Sequence, residues 1–216
     1  MNLRIAIDTG GTFTDVVPID EATGAQHALK TPSTPSDPSV GLLAGLRKAA
    51  EAAGGAPADV SHVLHGSTTA TNAVLEHKFG GLGLLVTDGF RHIIEIARQS
   101  VPDGYGNSFF WVKPPRLVPL HLVREVSGRL DFEGNELTAL DEASVVAAVE
   151  QLVADGVTRL GVCLLHSYAD AAHEQCVGEI IAKHFPQLFV SLSSTVLPEY
   201  REYERTSTTV VNAYVK

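Results

Sequence analysis

Cysteine is almost missing from this chain of 216 residues: it has two, Cys163 and Cys176, and no Cys-x-x-Cys pair. That excludes a disulfide framework and a zinc ribbon, and it points to a reducing, cytoplasmic setting. Positive charge is also scarce. Lys plus Arg number 16 against 25 Asp plus Glu, for a formal charge of −9. Without a basic stripe, nucleic acid is not an expected partner. No apolar run approaches the roughly 18 residues of a membrane helix, so no membrane partner is expected either. Asp8 comes too early for a secretory signal. What is present is a globular composition, 44% hydrophobic and 19% charged, which supplies a core and rules out disorder for most of the chain. The length fits one large domain or two small ones.

The pattern predicts strands over 3–8, 12–19 and 26–31, the first two forming a hairpin. A helix over 40–53 follows, stopped by Gly54-Gly55. Next come a strand over 62–65, a helix over 68–77, a strand over 83–87 and a short helix over 90–97. Residues 99–122 hold several prolines and glycines around Phe109-Phe110-Trp111 and read as a long ordered loop. A strand over 123–130 and a turn over 132–135 follow. Thr138-x-x-Asp141 resembles a capping box for a helix over 142–154 that Gly156 ends. The rest reads as a strand over 159–165, a helix over 171–184, a strand over 188–192 and a helix over 199–215. Strands alternating with helices make an α/β fold, mostly parallel after the hairpin. The last helix has no stop signal before Lys216. That suits a chain continuing into a larger protein as well as an ordinary terminal helix.

Five segments have the residue types for chemistry. Asp8-Thr9-Gly10-Gly11-Thr12-Phe13-Thr14-Asp15 combines glycines, which let backbone N–H groups approach a ligand, with hydroxyls and carboxylates. Asp8 at a strand end suits Mg²⁺ or the orienting of a nucleophile. The segment is neither a Walker A loop nor a dinucleotide fingerprint, and it serves equally as a plain hairpin turn. His65-Gly66-Ser67-Thr68-Thr69-Ala70-Thr71-Asn72 leads a strand into a hydroxyl-rich helix start, which suits an anion or a polarised carbonyl, or simple capping. Arg91 and Arg98, seven apart, would share a helix face and clamp an anion, unless Glu95 makes that face a solvated one. His166-Ser167-Tyr168 ends an apolar strand, where α/β ligands sit, although a lone histidine there is more often structural. Alternating charges over 199–206 normally mean surface pairs. Ser207, Thr208, Thr209 and Asn212 are less typical of a surface helix and suit a face turned to another domain or a ligand. His62 and His65 are a poor metal pair, and His173-Glu174 lacks a second histidine.

Four segments together resemble the hydantoinase A/5-oxoprolinase family: Ile7–Asp15, His65–Asn72, Gly89-Phe90-Arg91 and Leu197–Arg205. The order and spacing match, and the resemblance covers essentially the whole chain. It implies an RNase H-like, actin-like ATPase lobe with a mixed sheet flanked by helices. It assigns residues 1–198 to an N-terminal ATPase-like lobe and 199–216 to a helix crossing towards a second lobe that is not here. Family members include 5-oxoprolinases, hydantoinases and lactamases, which couple ATP hydrolysis to opening a cyclic amide, and subunits of ketone carboxylases. The resemblance therefore implies ATP and Mg²⁺ as cofactors and a cyclic amide or ketone as substrate. The rest of the chain or a second subunit is the implied partner, in an oligomer. Carried onto this sequence, Gly10, Gly11, Thr12 and Thr14 cradle phosphates, and Asp8 organises the metal or the attacking water. His65, Ser67, Thr68 and Thr69 line the reacting oxygen, and Arg91 contacts an anion. Two other readings stand beside an amidohydrolase: a ketone carboxylase subunit, and a non-catalytic lobe that binds a partner chain. Alone, the lobe is expected to bind ATP weakly and to turn nothing over.

Overall fold

The computed structural model describes residues 1–34, 37–76, 80–98, 112–113 and 116–215. The loop expected over 99–122, with Tyr105–Trp111, lies largely outside them. The chain divides into two compact units, Met1–His77 and Lys78–Lys216.

The first unit holds a four-stranded sheet in the order β3-β2-β1-β4. The strands β1 (Leu3–Thr9), β2 (Phe13–Asp20) and β3 (Leu29–Pro32) run antiparallel. After helix α1 (Pro38–Ala52), β4 (Val60–Ser67) returns parallel to β1. Alternation along β1 buries Leu3, Ile5, Ile7 and Thr9 and leaves Arg4 and Asp8 exposed. Ile5, Ile7 and Val16 pack against Ala49 of α1. Each such aliphatic side chain contributes on the order of 1.5–3 kcal/mol when fully buried. The helix lies close to β2 because its inner face is small: a Cβ on Gly45 would come within 2.9 Å of Val16 Cγ2. Asp37 caps α1 by accepting from Ser39 N at 3.0 Å. Helix α2 (Thr69–Leu75) follows β4 directly.

The second unit is built on a fully parallel sheet, β10-β9-β5-β6. Its strands are β5 (Leu82–Thr87), β6 (Val123–Val126), β9 (Arg159–Cys163) and β10 (Phe189–Leu192). Every residue of β5 is buried, which is why its sequence is a continuous apolar run rather than an alternating one. Leu85 faces a core shared with α4 (Glu142–Ala154) and α5 (Ala172–His184), whereas Leu82, Leu84 and Val86 pack with Val210 and Ala213 of α7 (Glu202–Val215).

Several local expectations are corrected. The strand expected over 123–130 breaks at Gly128, where φ is +153° and a Cβ would meet Leu140 Cα at 3.0 Å. Beyond the break, β7 (Arg129–Leu130) pairs with β8 (Glu136–Thr138) as a separate ribbon. Thr138 thus ends a strand and caps nothing; Asp141 caps α4 alone, accepting from Ala143 N. The helix expected over 90–97 shrinks to the single turn α3 (Ile93–Ile96), ended by Ala97 at φ +51°. Arg91 and Arg98 therefore lie outside it and share no helix face. One further turn, α6 (Ser193–Val196), has too few apolar residues to show a period.

Candidate functional site

The turn after β1 is shaped by what glycine omits. Gly10 N donates to Phe13 O at 3.0 Å, and a Cβ on Gly10 would lie 2.8 Å from that same oxygen. Only glycine fits without a shift. Around Gly11 a Cβ would meet nothing within 4 Å, so this edge of the turn is open. Ser33, just past β3, holds the turn in place. Its N–H donates to Thr12 O at 2.9 Å and its hydroxyl to Gly10 O at 2.7 Å. The Thr14 hydroxyl, 2.9 Å from Ser33 Oγ, must then be the donor to it. Thr14 is only 1% exposed. Its hydroxyl fastens the turn to Ser33. Ser33 itself was not singled out from sequence, because only the pairing of β2 with β3 brings it to the turn.

Asp8 projects from the sheet face opposite α1 and is exposed. Its direct cross-strand neighbour is Asp15. Like charges so placed repel. Lys30 Nζ lies 3.3 Å from Asp15 Oδ1, but among the described residues no cation pairs with Asp8. A carboxylate pair beside an open glycine turn fits a divalent cation that keeps part of its shell for water and phosphate. Among the described residues no cluster of three or more His, Cys, Asp or Glu could hold a metal by itself.

Strand β4 adds the second predicted segment. Parallel pairing sets His65, Gly66 and Ser67 beside Ile7, Asp8 and Thr9. His65 Nε2 is 3.0 Å from Thr9 Oγ1. Ser67 Oγ and Thr68 N both donate to Thr9 O, at 3.2 and 3.1 Å. Gly66 places no side chain beside Asp8. Thr68 Oγ1 is 3.9 Å from where a Cβ on Gly10 would sit. Thr68 precedes α2 without making a side-chain cap, and Thr69 is the first residue of α2. The sheet thus brings Asp8, Gly10, Gly11, Thr12, His65, Ser67 and Thr68 to one end of the first unit.

Arg91 belongs to the second unit. Its Nη2 donates to Leu120 O at 3.0 Å, its backbone N–H donates to Glu125, and its Nε has no partner among the described residues. Arg98 pairs with Glu204. In the same unit Glu174 is fully buried, yet its carboxylate accepts from Leu164 N, Ser194 N and the hydroxyls of Ser167 and Ser193. Arg205 is also fully buried, donating to Glu199 O and Leu164 O with its guanidinium 5.4 Å from the Tyr168 ring. The surface pairs expected over 199–206 are therefore only partly there. Thr206 and Thr209 are buried too, whereas Thr208 is exposed and Ser207 and Asn212 are half-buried. His166 sits at φ +61° with its Nδ1 unpartnered among the described residues. Burial, followed by the charge of Arg129, holds its imidazole below the ordinary histidine range.

Comparison with known proteins gives a consistent set of relatives. The family profile described as the hydantoinase/oxoprolinase N-terminal region matches residues 4–185. The chain is 37% identical to the caprolactamase subunit alpha of Pseudomonas jessenii, over 98% of this chain and 31% of that one. The crystal structure of that ATP-dependent caprolactamase superposes with a TM-score of 0.81. A nucleotide-free acetone carboxylase structure superposes at 0.84, with 28% identity over 99% of this chain and 32% of that one. The 5-oxoprolinase of Saccharomyces cerevisiae is 32% identical over 99% of this chain and 19% of its own length. The chain spans a third or less of each of these proteins.

Proposed function

The chain belongs to the hydantoinase/oxoprolinase family, and from that premise we propose that it is the N-terminal part of an ATP-dependent enzyme that opens a cyclic amide. The observation that carries the reading is the open turn at Gly11, braced by Ser33 and flanked by Asp8 and Thr68. It is a preformed cradle for phosphate oxygens in a chain similar to an ATP-dependent caprolactamase. When bound, ATP would supply a γ-phosphoryl group for the substrate's carbonyl oxygen, which makes the amide carbon open to attack by water so that the ring C–N bond breaks, phosphate leaving afterwards with that oxygen.

The chain's own residues do the positioning. N–H groups of Gly11 and Thr12 hold phosphate oxygens, while Ser33 and Thr14 keep the turn from deforming. Asp8, with Asp15 beside it, holds Mg²⁺ or orients the attacking water. His65 is fixed by Thr9, and with Ser67, Thr68 and Thr69 it lines the reacting oxygen. Arg91 is the proposed anion contact of the second unit. Strand order β3-β2-β1-β4, three antiparallel strands and a parallel return, supports an RNase H-like, actin-like ATPase lobe over residues 1–198. Residues 199–216 are read as the helix leading towards a second lobe. The relatives named as subunits support an oligomer with further chain or a second subunit, and the two unpaired cysteines support a cytoplasmic setting.

The likeness to acetone carboxylase favours a second reading, in which a ketone and bicarbonate replace the amide and water. ATP turnover by the full-length protein separates the two. Stimulation by a cyclic amide alone supports the hydrolase, a joint requirement for bicarbonate and a ketone supports the carboxylase, and stimulation by neither contradicts both.

A further inference from the structure

In the first unit the strand register lines up one residue from each strand: Lys30 of β3, Asp15 of β2, Asp8 of β1 and Gly66 of β4. The row crosses the sheet at the end that carries the glycine turn. On one side of Asp8 stands a like charge, and on the other Gly66, which has no side chain. The cation of the row stands at its edge. Lys30 Nζ lies 3.3 Å from Asp15 Oδ1 and 5.5 Å from the centre of the Phe13 ring. Phe13 is the residue of β2 nearest the turn, so ring and carboxylate together hold the ammonium over β2.

Distance decides what Lys30 acts on. Neighbouring strands are ~4.8 Å apart, so its backbone is about 9–10 Å from that of Asp8, two strands away. Salt screens exposed charges beyond about 8 Å at physiological ionic strength. The direct field of Lys30 at Asp8 is therefore weak, whereas its contact with Asp15 is within reach. We propose that Lys30 is a positioning residue: it takes up the charge of Asp15, keeps that carboxylate off a divalent cation, and leaves Asp8 to hold the cation with the rest of its shell open to water and phosphate. The inference rests on the reading of Asp8 under the proposed function and narrows it to one carboxylate. Without Lys30, Asp8 and Asp15 stand as two unpaired like charges directly opposite each other, which is unfavourable. A divalent cation shared between them relieves that repulsion, and the second carboxylate then takes a position that phosphate needs.

The test is titration of the full-length protein with Mn²⁺ alone, without nucleotide, at physiological salt, with free Mn²⁺ read by electron paramagnetic resonance. Lys30 and Asp15 are both exposed, and such a pair adds little to stability, so the variants remain folded. Lys30→Met should bind Mn²⁺ on the order of tenfold more tightly than the wild type, the scale of one added charged ligand. The gain should vanish when Lys30→Met is combined with Asp15→Asn or with Asp8→Asn, and should not appear in Lys30→Arg, which keeps the charge. ATP turnover should move the other way: kcat falls about tenfold or more in Lys30→Met, as for a misplaced group, and recovers in Lys30→Arg. Three results would overturn the proposal: no gain in Mn²⁺ affinity in Lys30→Met, a gain that survives Asp15→Asn, or a gain that survives Asp8→Asn. Turnover by Asp8→Asn alone tests the underlying reading separately. Normal turnover there would overturn that reading and with it the catalytic part of Lys30, whereas a failed Mn²⁺ series with Asp8→Asn inactive would overturn this inference only.

Discussion

Gly10 and Gly11 are adjacent and look interchangeable in sequence, yet their surroundings differ. Gly10 faces the carbonyl of Phe13, whereas Gly11 faces open space. Gly10→Ala should lower stability by about 1–3 kcal/mol, the range for overpacking, read by urea denaturation. Gly11→Ala should leave stability within about 0.5 kcal/mol, as for an unconstrained surface site, and yet weaken ATP use in the full-length protein by placing a methyl group where phosphate approaches. If Gly11→Ala turned over ATP normally, the open edge of the turn would not be the cradle. Ser33→Ala removes one donor and one acceptor from the half-buried brace of the turn, and should cost about 1–2 kcal/mol. The glycines were legible because they sit together beside Asp8. Ser33 was not, since nothing local marks a serine that acts across a strand pair. Arg205 was read as part of a charged surface, because a buried arginine looks like any other in a helix of alternating charge.

Elements whose signals are local were legible, and those fixed by long-range pairing were not. The buried run of β5 and the alternation of β1 follow from one-sided or two-sided burial. The split of 123–130 into β6 and β7 depends on Leu140 packing against Gly128, a contact invisible until the fold exists. Turn and cap carboxylates add to the acid sensitivity of these elements. Hydrogen bonds from Ser39 hold Asp37 below the usual carboxylate range. Those from Ala22 and Thr23 do the same for Asp20, and those from Asn135 for Asp131. A depressed folded pKa means stability that is present above the unfolded value of about 3.9 and is lost as pH falls through the folded one. Urea midpoints should therefore be flat with respect to these groups above about pH 5 and should drop below about pH 4. Asp37→Asn should remove its share of that slope. A midpoint that rises on acidification would contradict the assignment.

At the scale of the molecule, the family is shown over residues 4–185, and the relatives are three or more times longer. Sequence anticipated the α/β class and the parallel second sheet, because strand–helix alternation leaves few other arrangements. The family resemblance implied that Asp8, Gly10, Gly11, His65, Ser67 and Thr68 share a site, and the parallel pairing of β1 with β4 brings them to one sheet end. Sequence did not anticipate that Arg91 would bond to Leu120 O within the second unit. No helix among the described residues is long and apolar enough to cross a membrane. In the proposed function, the first unit directs a phosphoryl group onto a substrate carbonyl oxygen. The most direct measurement is to supply the full-length protein with ATP and a lactam carrying ¹⁸O in its carbonyl, and to weigh the inorganic phosphate released. Phosphorylation of that oxygen, followed by attack of water at carbon, predicts ¹⁸O in the phosphate and predicts that Asp8→Asn abolishes its formation. Unlabelled phosphate, with all the ¹⁸O kept in the ring-opened acid, would contradict the account.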